Sequence, residues 1–249
     1  ISRKARLEPT ELGRRLYKEA RPIVSQFDAM ELNMLSHSRH QKTSLTIAMG
    51  FGAATFLSLD PLLGFRREYP QIELTLSENS DSVVVSDVLS GHADLGIVGA
   101  FSDLLKELDA IKIQQSNLYL HIYKDNPLSR RHEILIPDLQ GQPFISFGPQ
   151  NHSHQFLLRE CQACGFTPNF QFCVQDSQAT HSIARAHNGI TWTYPPKRLE
   201  YNAWPDFRAA SLRFSDKSWG TYIIRRPGCS PSLSVRLLTQ FLSAHATDV

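Results

Sequence analysis

A chain of 249 residues, 41% hydrophobic and 20% charged, can bury one large core or two small ones and has the balance of an ordinary globular protein. No apolar run approaches the roughly 20 residues needed to cross a bilayer, which excludes a membrane-spanning helix, and the start "ISRKAR" is neither a signal peptide nor an initiator sequence, so a preceding segment is expected. The formal charge of +2 is unevenly placed: residues 1–42 hold nine Lys/Arg against five Asp/Glu, and the remainder holds seventeen against nineteen.

The first predicted element is a long helix. Thr10 after Pro9 suits an N-cap, Glu11 suits the first turn, and apolar residues recur at Leu12, Leu16, Ala20, Ile23, Phe27, Met30 and Met34. Steps of three and four make one narrow apolar seam, the pattern of a helix that packs lengthwise on another helix. Leu12, Leu16, Ile23, Phe27 and Met30 are therefore expected to make a dimer contact. Pro22 removes an amide donor and crowds the carbonyl of Lys18, which predicts a bend. The basic residues at the front, Arg3, Lys4 and Arg6 among them, carry the charges and guanidinium forks that contact phosphates.

After the polar stretch "SHSRHQKT", strands and helices alternate: strand Leu45–Met49, helix Thr55–Glu68, strand Ile72–Ser77, helix Ser82–Ser90, strand Leu95–Val98. Such alternation means a parallel sheet with crossovers. Gly50 and Gly52 fall where the first strand must turn sharply into a helix N-terminus, a ligand position by topology. A second set of units follows: a strand in "LYLHIYKDNPL", a strand at Pro143–Phe147, a helix in "HQFLLRECQACGF" stopped by Gly165, and a strand in "FQFCV". An Asp176/Ser177 cap then opens a helix that leads to a further strand in "ITWTYPP". Strands in "AASLRF" and "GTYIIRRP" and a final amphipathic helix in "PSLSVRLLTQFLSAHA" complete the chain. Two α/β lobes joined by strand-like connections are expected, and the cleft between such lobes is the default place for a small ligand.

Several segments in order resemble the LysR-type transcriptional regulators. "RLEPTELGRRLYKEA" resembles the wing and linker-helix entry of that family through Pro9, Thr10 and Gly13, and "LLGFRREYPQIELTL" resembles its first effector-domain helix and second strand. "VLSGHADLGIV" is similar to its Leu-x-x-Gly-x-x-Asp segment at Leu89, Gly91 and Asp94, while "CQACGFTPNF" and "AHNGITW" resemble later turns.

The resemblance implies a DNA-binding regulator of the bacterial cytoplasm with no catalytic role and no cofactor. Residues 1–13 would be the remnant of a winged helix-turn-helix and 14–42 the linker helix and hinge. Residues 43–249 would form an effector-binding domain of the type 2 periplasmic-binding-protein fold, with two Rossmann-like lobes at about 43–115 with 214–249 and about 116–213. It further implies a homo-oligomer, DNA met through the missing N-terminal domain, and a small anionic or aromatic effector.

Carried over by position, the effector site comprises Gly50, Phe51, Gly52, Ala53, Gly99, Phe147, Gln175 and Ser177, with Arg3, Lys4 and Arg6 on DNA phosphates. Relatives often place hydroxyls at the first turn. Here the glycines leave backbone amides, which suit a carboxylate or phosphate, with Phe51, Phe147, Trp192 and Tyr194 as an apolar wall.

Other chemistries have weaker support in the residues. Cys161 and Cys164 stand at i and i+3 on a helix with no second pair for zinc, and His152 and His154 have no third ligand spaced nearby. No GxSxG elbow supports hydrolysis. A transporter's solute-binding protein shares the fold but has no use for a basic, seam-forming helix, and it would carry a signal peptide.

Overall fold

The computed structural model describes residues 9–37, 43–53, 59–116, 118–193, 204–214 and 219–245. Its first element, α1 (Glu11–His37), starts as expected: the Gly13 amide donates to the Thr10 hydroxyl at 3.1 Å, and the helix continues through Pro22. Leu12, Leu16, Ile23, Phe27 and Met30 are 50–77% exposed, so the seam finds no cover among the described residues. α1 touches the rest of the molecule at the C-terminal helix. Among the described residues no helix is long and apolar enough to cross a membrane.

The first sheet contains β1 (Thr43–Gly50), β2 (Ile72–Asn79), β3 (Leu95–Phe101), β4 (Asp109–Ser116) and β11 (Trp219–Arg225), in the order β2-β1-β3-β11-β4. Its helices are α2 (Asp60–Glu68), α3 (Asp81–Ser90) and α6 (Leu233–His245). Side chains alternate across the strands as a pleat requires. Leu45, Ile47, Met49, Ile97 and Ile223 face α2 and α6 around Phe65, Leu238 and Leu242. Ala48, Val98, Tyr222 and Ile224 face Val84 and Val88 of α3. Each burial removes apolar surface from water at about 25 cal/mol per Å².

The second sheet contains β5 (Tyr119–Tyr123), β6 (Glu133–Leu135), β7 (Pro143–Ser146), β8 (Asn169–Cys173), β9 (Ile190–Thr193) and β10 (Phe207–Arg213), in the order β6-β10-β5-β9-β7-β8. It carries α4 (His152–Ala163) and α5 (Ser177–Ala186).

The three strands of the alternating segment pair in parallel, as the sequence reading expects, and both sheets also contain antiparallel members. β1 pairs in parallel with β2 and β3, but β11 runs antiparallel to β3 and β4, and β5 runs antiparallel to β9 and β10. The chain leaves the first sheet after β4, builds the second, and re-enters the first through β11, between β3 and β4.

Candidate functional site

Where the lobes meet, two helix N-termini face each other and cap one another. Asp81 is the first residue of α3, and its Oδ2 accepts the backbone N–H of His152, the first residue of α4, at 2.7 Å. In return the Gln150 carbonyl accepts the Ser82 amide at 3.2 Å and the Ser82 hydroxyl at 3.1 Å, while the Ser80 hydroxyl donates to Gln150 Oε1. Helix-end donors that would otherwise need water are thus satisfied across the lobes.

His152 Nδ1 lies 3.0 Å from the Gly99 carbonyl and 3.6 Å from Asp81 Oδ2. A carbonyl only accepts, so Nδ1 carries the proton. Burial pushes the Asp81 carboxyl above the usual carboxylate range, opposed by the charge and backbone N–H of His152.

Gly50 makes room for this junction. A β-carbon there would come within 2.3 Å of Asp81 Oδ1, so any side chain would displace the carboxylate. Gly50 therefore sits behind Asp81 and is not part of the cleft wall. Gly99 plays a similar part toward Trp219: a β-carbon would meet the indole at 2.7 Å.

The cleft between the lobes has two chambers that share Phe51 from the first lobe and Phe147 from the second. The inner one is small, about 40 Å³, and is walled by Ala53, Asp81, Gly99, Leu118, Asn151, Ser153, Trp192 and Trp219. The outer one is about 490 Å³ and is bounded by Gly52, Glu78, Gln175, Asp176 and Ser177.

Of the site residues expected from the sequence, the structure brings together Phe51, Gly52, Ala53, Gly99, Phe147, Gln175 and Ser177 along this cleft. Trp192 joins the inner wall, while Tyr194 and the three basic residues Arg3, Lys4 and Arg6 lie outside the described residues.

Two amides of the turn are already engaged. Phe51 N–H donates to the Asn79 carbonyl at 3.0 Å and Gly52 N–H to Glu78 Oε1 at 2.9 Å. The parallel register pairs Met49 with Glu78 and Gly50 with Asn79, which puts the end of β2 beside the turn. The Phe51 and Gly52 amides are therefore engaged by the chain itself.

Asp81, Glu78, Asn151, Ser153 and Trp219 were absent from the sequence-derived site. Trp219 had no local signal, because only the return of β11 to the first sheet carries it to the cleft.

The remaining candidates resolve into packing. His154 bonds Ser146 at 2.9 Å and stacks on Phe170, facing a different partner from His152. No group of three or more His, Cys, Asp or Glu suited to a metal ion occurs among the described residues. Cys161 is buried, and desolvation, with Cys164 and Glu160 adding to it, pushes its thiol up to about 12, far from a reactive thiolate at neutral pH.

The LysR substrate binding domain profile matches residues 38–247. The HTH-type transcriptional regulator CysL of Bacillus subtilis (strain 168) is 24% identical over 170 residues, covering 68% of this chain and 56% of its own. The chain spans about half the length of the curated relatives it matches. Full-length CbnR complexed with its target DNA aligns with a TM-score of 0.64 at 18% identity, over 98% of this chain and 84% of that one. The effector binding domain of QuiR in complex with shikimate aligns at 0.69 and 11% identity, over 83% and 98%. At these identities the structural likeness is one of fold, and that fold is the type 2 periplasmic-binding-protein fold. With one family profile running through both lobes, the chain belongs to the LysR substrate-binding-domain family.

Proposed function

We propose that this protein is a LysR-type transcriptional regulator of the bacterial cytoplasm. In this reading it is an oligomer, meets DNA through a winged helix-turn-helix ahead of α1, and senses a small molecule in the interlobe cleft. Its role is binding and not catalysis.

The observation that carries the reading is the cleft itself, in a chain of this family. Phe51 and Phe147 face a shared space from opposite lobes, and the lobes are tied by the Asp81–His152 and Ser82–Gln150 bonds. Relatives add support: CysL is named as an HTH-type regulator, one CbnR structure holds target DNA, and the QuiR domain holds shikimate. The family profile and the uncovered seam of α1 both weigh against a transporter's solute-binding protein.

The effector residues in this proposal are Phe51, Gly52, Ala53, Gly99, Phe147, Gln175 and Ser177, with Gly50 supporting Asp81 from behind. The lobes are the segments about 43–115 with 214–249 and about 116–213. A ligand that favours one lobe arrangement shifts the equilibrium between arrangements. The shift reaches α1 through α6, an element of the first lobe that α1 touches.

Base reading is assigned to the winged helix-turn-helix. Residues 1–249 alone are therefore expected to bind DNA weakly and without sequence preference, through phosphates only. A salt-controlled competition assay measures this, and fusion of a winged helix-turn-helix ahead of residue 1 should create selectivity. Tight, selective binding by residues 1–249 alone would overturn the assignment.

A further inference from the structure

We propose that the cleft is built for an aromatic amine, a compact ring with a hydrogen-bond acceptor at one end and a protonated amino group at the other. The inference rests on the cleft being the effector site and specifies what that site takes.

The first argument concerns the donors that an anion would need. Four helix-end and turn amides around the cleft are already engaged: Ser82 on the Gln150 carbonyl, His152 on Asp81, Phe51 on the Asn79 carbonyl and Gly52 on Glu78. The second is charge. Among the described residues that line the two chambers, the charged side chains are Glu78, Asp81 and Asp176, all carboxylates, with no Lys or Arg. A carboxylate ligand would meet like charges at close range, where repulsion in a partly desolvated space is strong.

The inner wall also lacks acceptors for its buried indole donors. Trp192 and Trp219 line the inner chamber at 6% and 3% exposure, and among the described residues neither indole N–H has an acceptor. A buried donor left unmade is costly, so the inner end of a ligand gains by supplying an oxygen or ring nitrogen there. About 40 Å³ suits such a narrow end and not a whole ring system.

The ring body then falls between Phe51 and Phe147, and the amino group reaches the outer chamber, where Glu78 and Asp176 carry the opposite charge. Phe51 and Phe147 add cation–π attraction for an ammonium leaving the neck. An ammonium in the cleft would also favour the ionised form of Asp81, which burial alone disfavours.

The test is calorimetry on residues 1–249 with four probes: tyramine, the neutral alcohol tyrosol, the anion 4-hydroxyphenylacetate, and phenethylamine, which has the amine without the acceptor. Tyramine is expected to bind at least about tenfold more tightly than 4-hydroxyphenylacetate, with tyrosol between them. Glu78→Gln with Asp176→Asn keeps an amide oxygen for the Gly52 and Ala179 amides, and it should erase the preference for tyramine over tyrosol. Trp219→Phe keeps the ring and loses the N–H, so tyramine should fall several-fold toward phenethylamine, whose affinity should hold.

Equal or tighter binding of 4-hydroxyphenylacetate overturns the inference, as does failure of both amines to bind at millimolar concentration. If the carboxylate binds and Phe147→Ala weakens it, the cleft stands as the effector site and only the ligand class falls. Tyramine binding that Phe147→Ala leaves unchanged would place the ligand outside the cleft and remove the site reading as well.

Discussion

Replacement of Ile23 and Phe27 by glutamate should convert the proposed dimer into monomers while leaving the melting temperature of the two lobes unchanged. In the single chain, Ile23 is 68% and Phe27 52% exposed, so glutamates there disturb no intrachain core. In a dimer formed along α1 the same side chains are covered. A fully buried residue of this size contributes about 1.5 to 3 kcal/mol, and a charge in its place costs several more. An exposed apolar stripe that includes Leu12, Leu16 and Met30 beside these two is larger than a lone helix keeps in water without a partner. Sedimentation velocity reads the result directly. An unchanged assembly state in the double variant would mean that α1 is not the dimer contact.

The second large effect is acid lability of the second lobe. His121 of β5 and His181 of α5 are buried and share a hydrogen bond of 2.9 Å between His121 Nδ1 and His181 Nε2. His181 Nδ1 lies 2.7 Å from the Ser177 carbonyl and must donate to it, which leaves Nε2 as an acceptor for the Nδ1–H of His121. The chain of bonds holds both rings neutral, and Trp204 stacks on His181 at 4.3 Å while Phe207 packs against both. Burial, with the charge of His181 adding to it, holds His121 down to about 3, and burial lowers His181 as well.

The folded values lie below the unfolded value of about 6.5, so between roughly pH 6.5 and pH 3 the unfolded chain binds protons that the folded chain refuses. Stability is therefore complete above about pH 6.5 and is lost as pH falls through that window, by about 1.4 kcal/mol per unit for His121 alone. Urea unfolding at pH 7.5 and pH 4.5 should differ by about 2 to 3 kcal/mol from this residue. His121→Gln keeps a donor toward His181 and cannot titrate, so its stability should vary less with pH by that amount. Parallel pH profiles in wild type and variant would assign acid unfolding to other groups.

The parts of this structure legible in the sequence are those set by near neighbours along the chain. The Thr10 cap of α1, the Asp176 cap of α5 and the seam spacing are all written within a few residues, and the structure contains both cap bonds. The turn after β1 follows from topology, and Phe51 and Phe147 do line one shared space. β4 was missed because "DAIKIQQS" mixes charge and polarity and has one fully covered apolar residue, Ile113, which signals too little alone.

The polar junction was illegible for a different reason. Asp81 and His152 are 71 positions apart, and nothing local marks either as a partner of the other. The same holds for Glu78, which reaches the Gly52 amide only because two strands lie in register. Sequence alone therefore pointed to the glycine turn as a ligand position, and long-range pairing, invisible in it, engages the Phe51 and Gly52 amides.

The central claim is that a small molecule occupies the space between the lobes, and a crystal structure of the protein with the first compound that raises its melting temperature tests it most directly. The account predicts ligand density between Phe51 and Phe147, with its inner end against Trp192 and Trp219. Density confined to the separate recess beside Arg225, Arg226 and Ser232 at the start of α6, with the cleft empty, would contradict it.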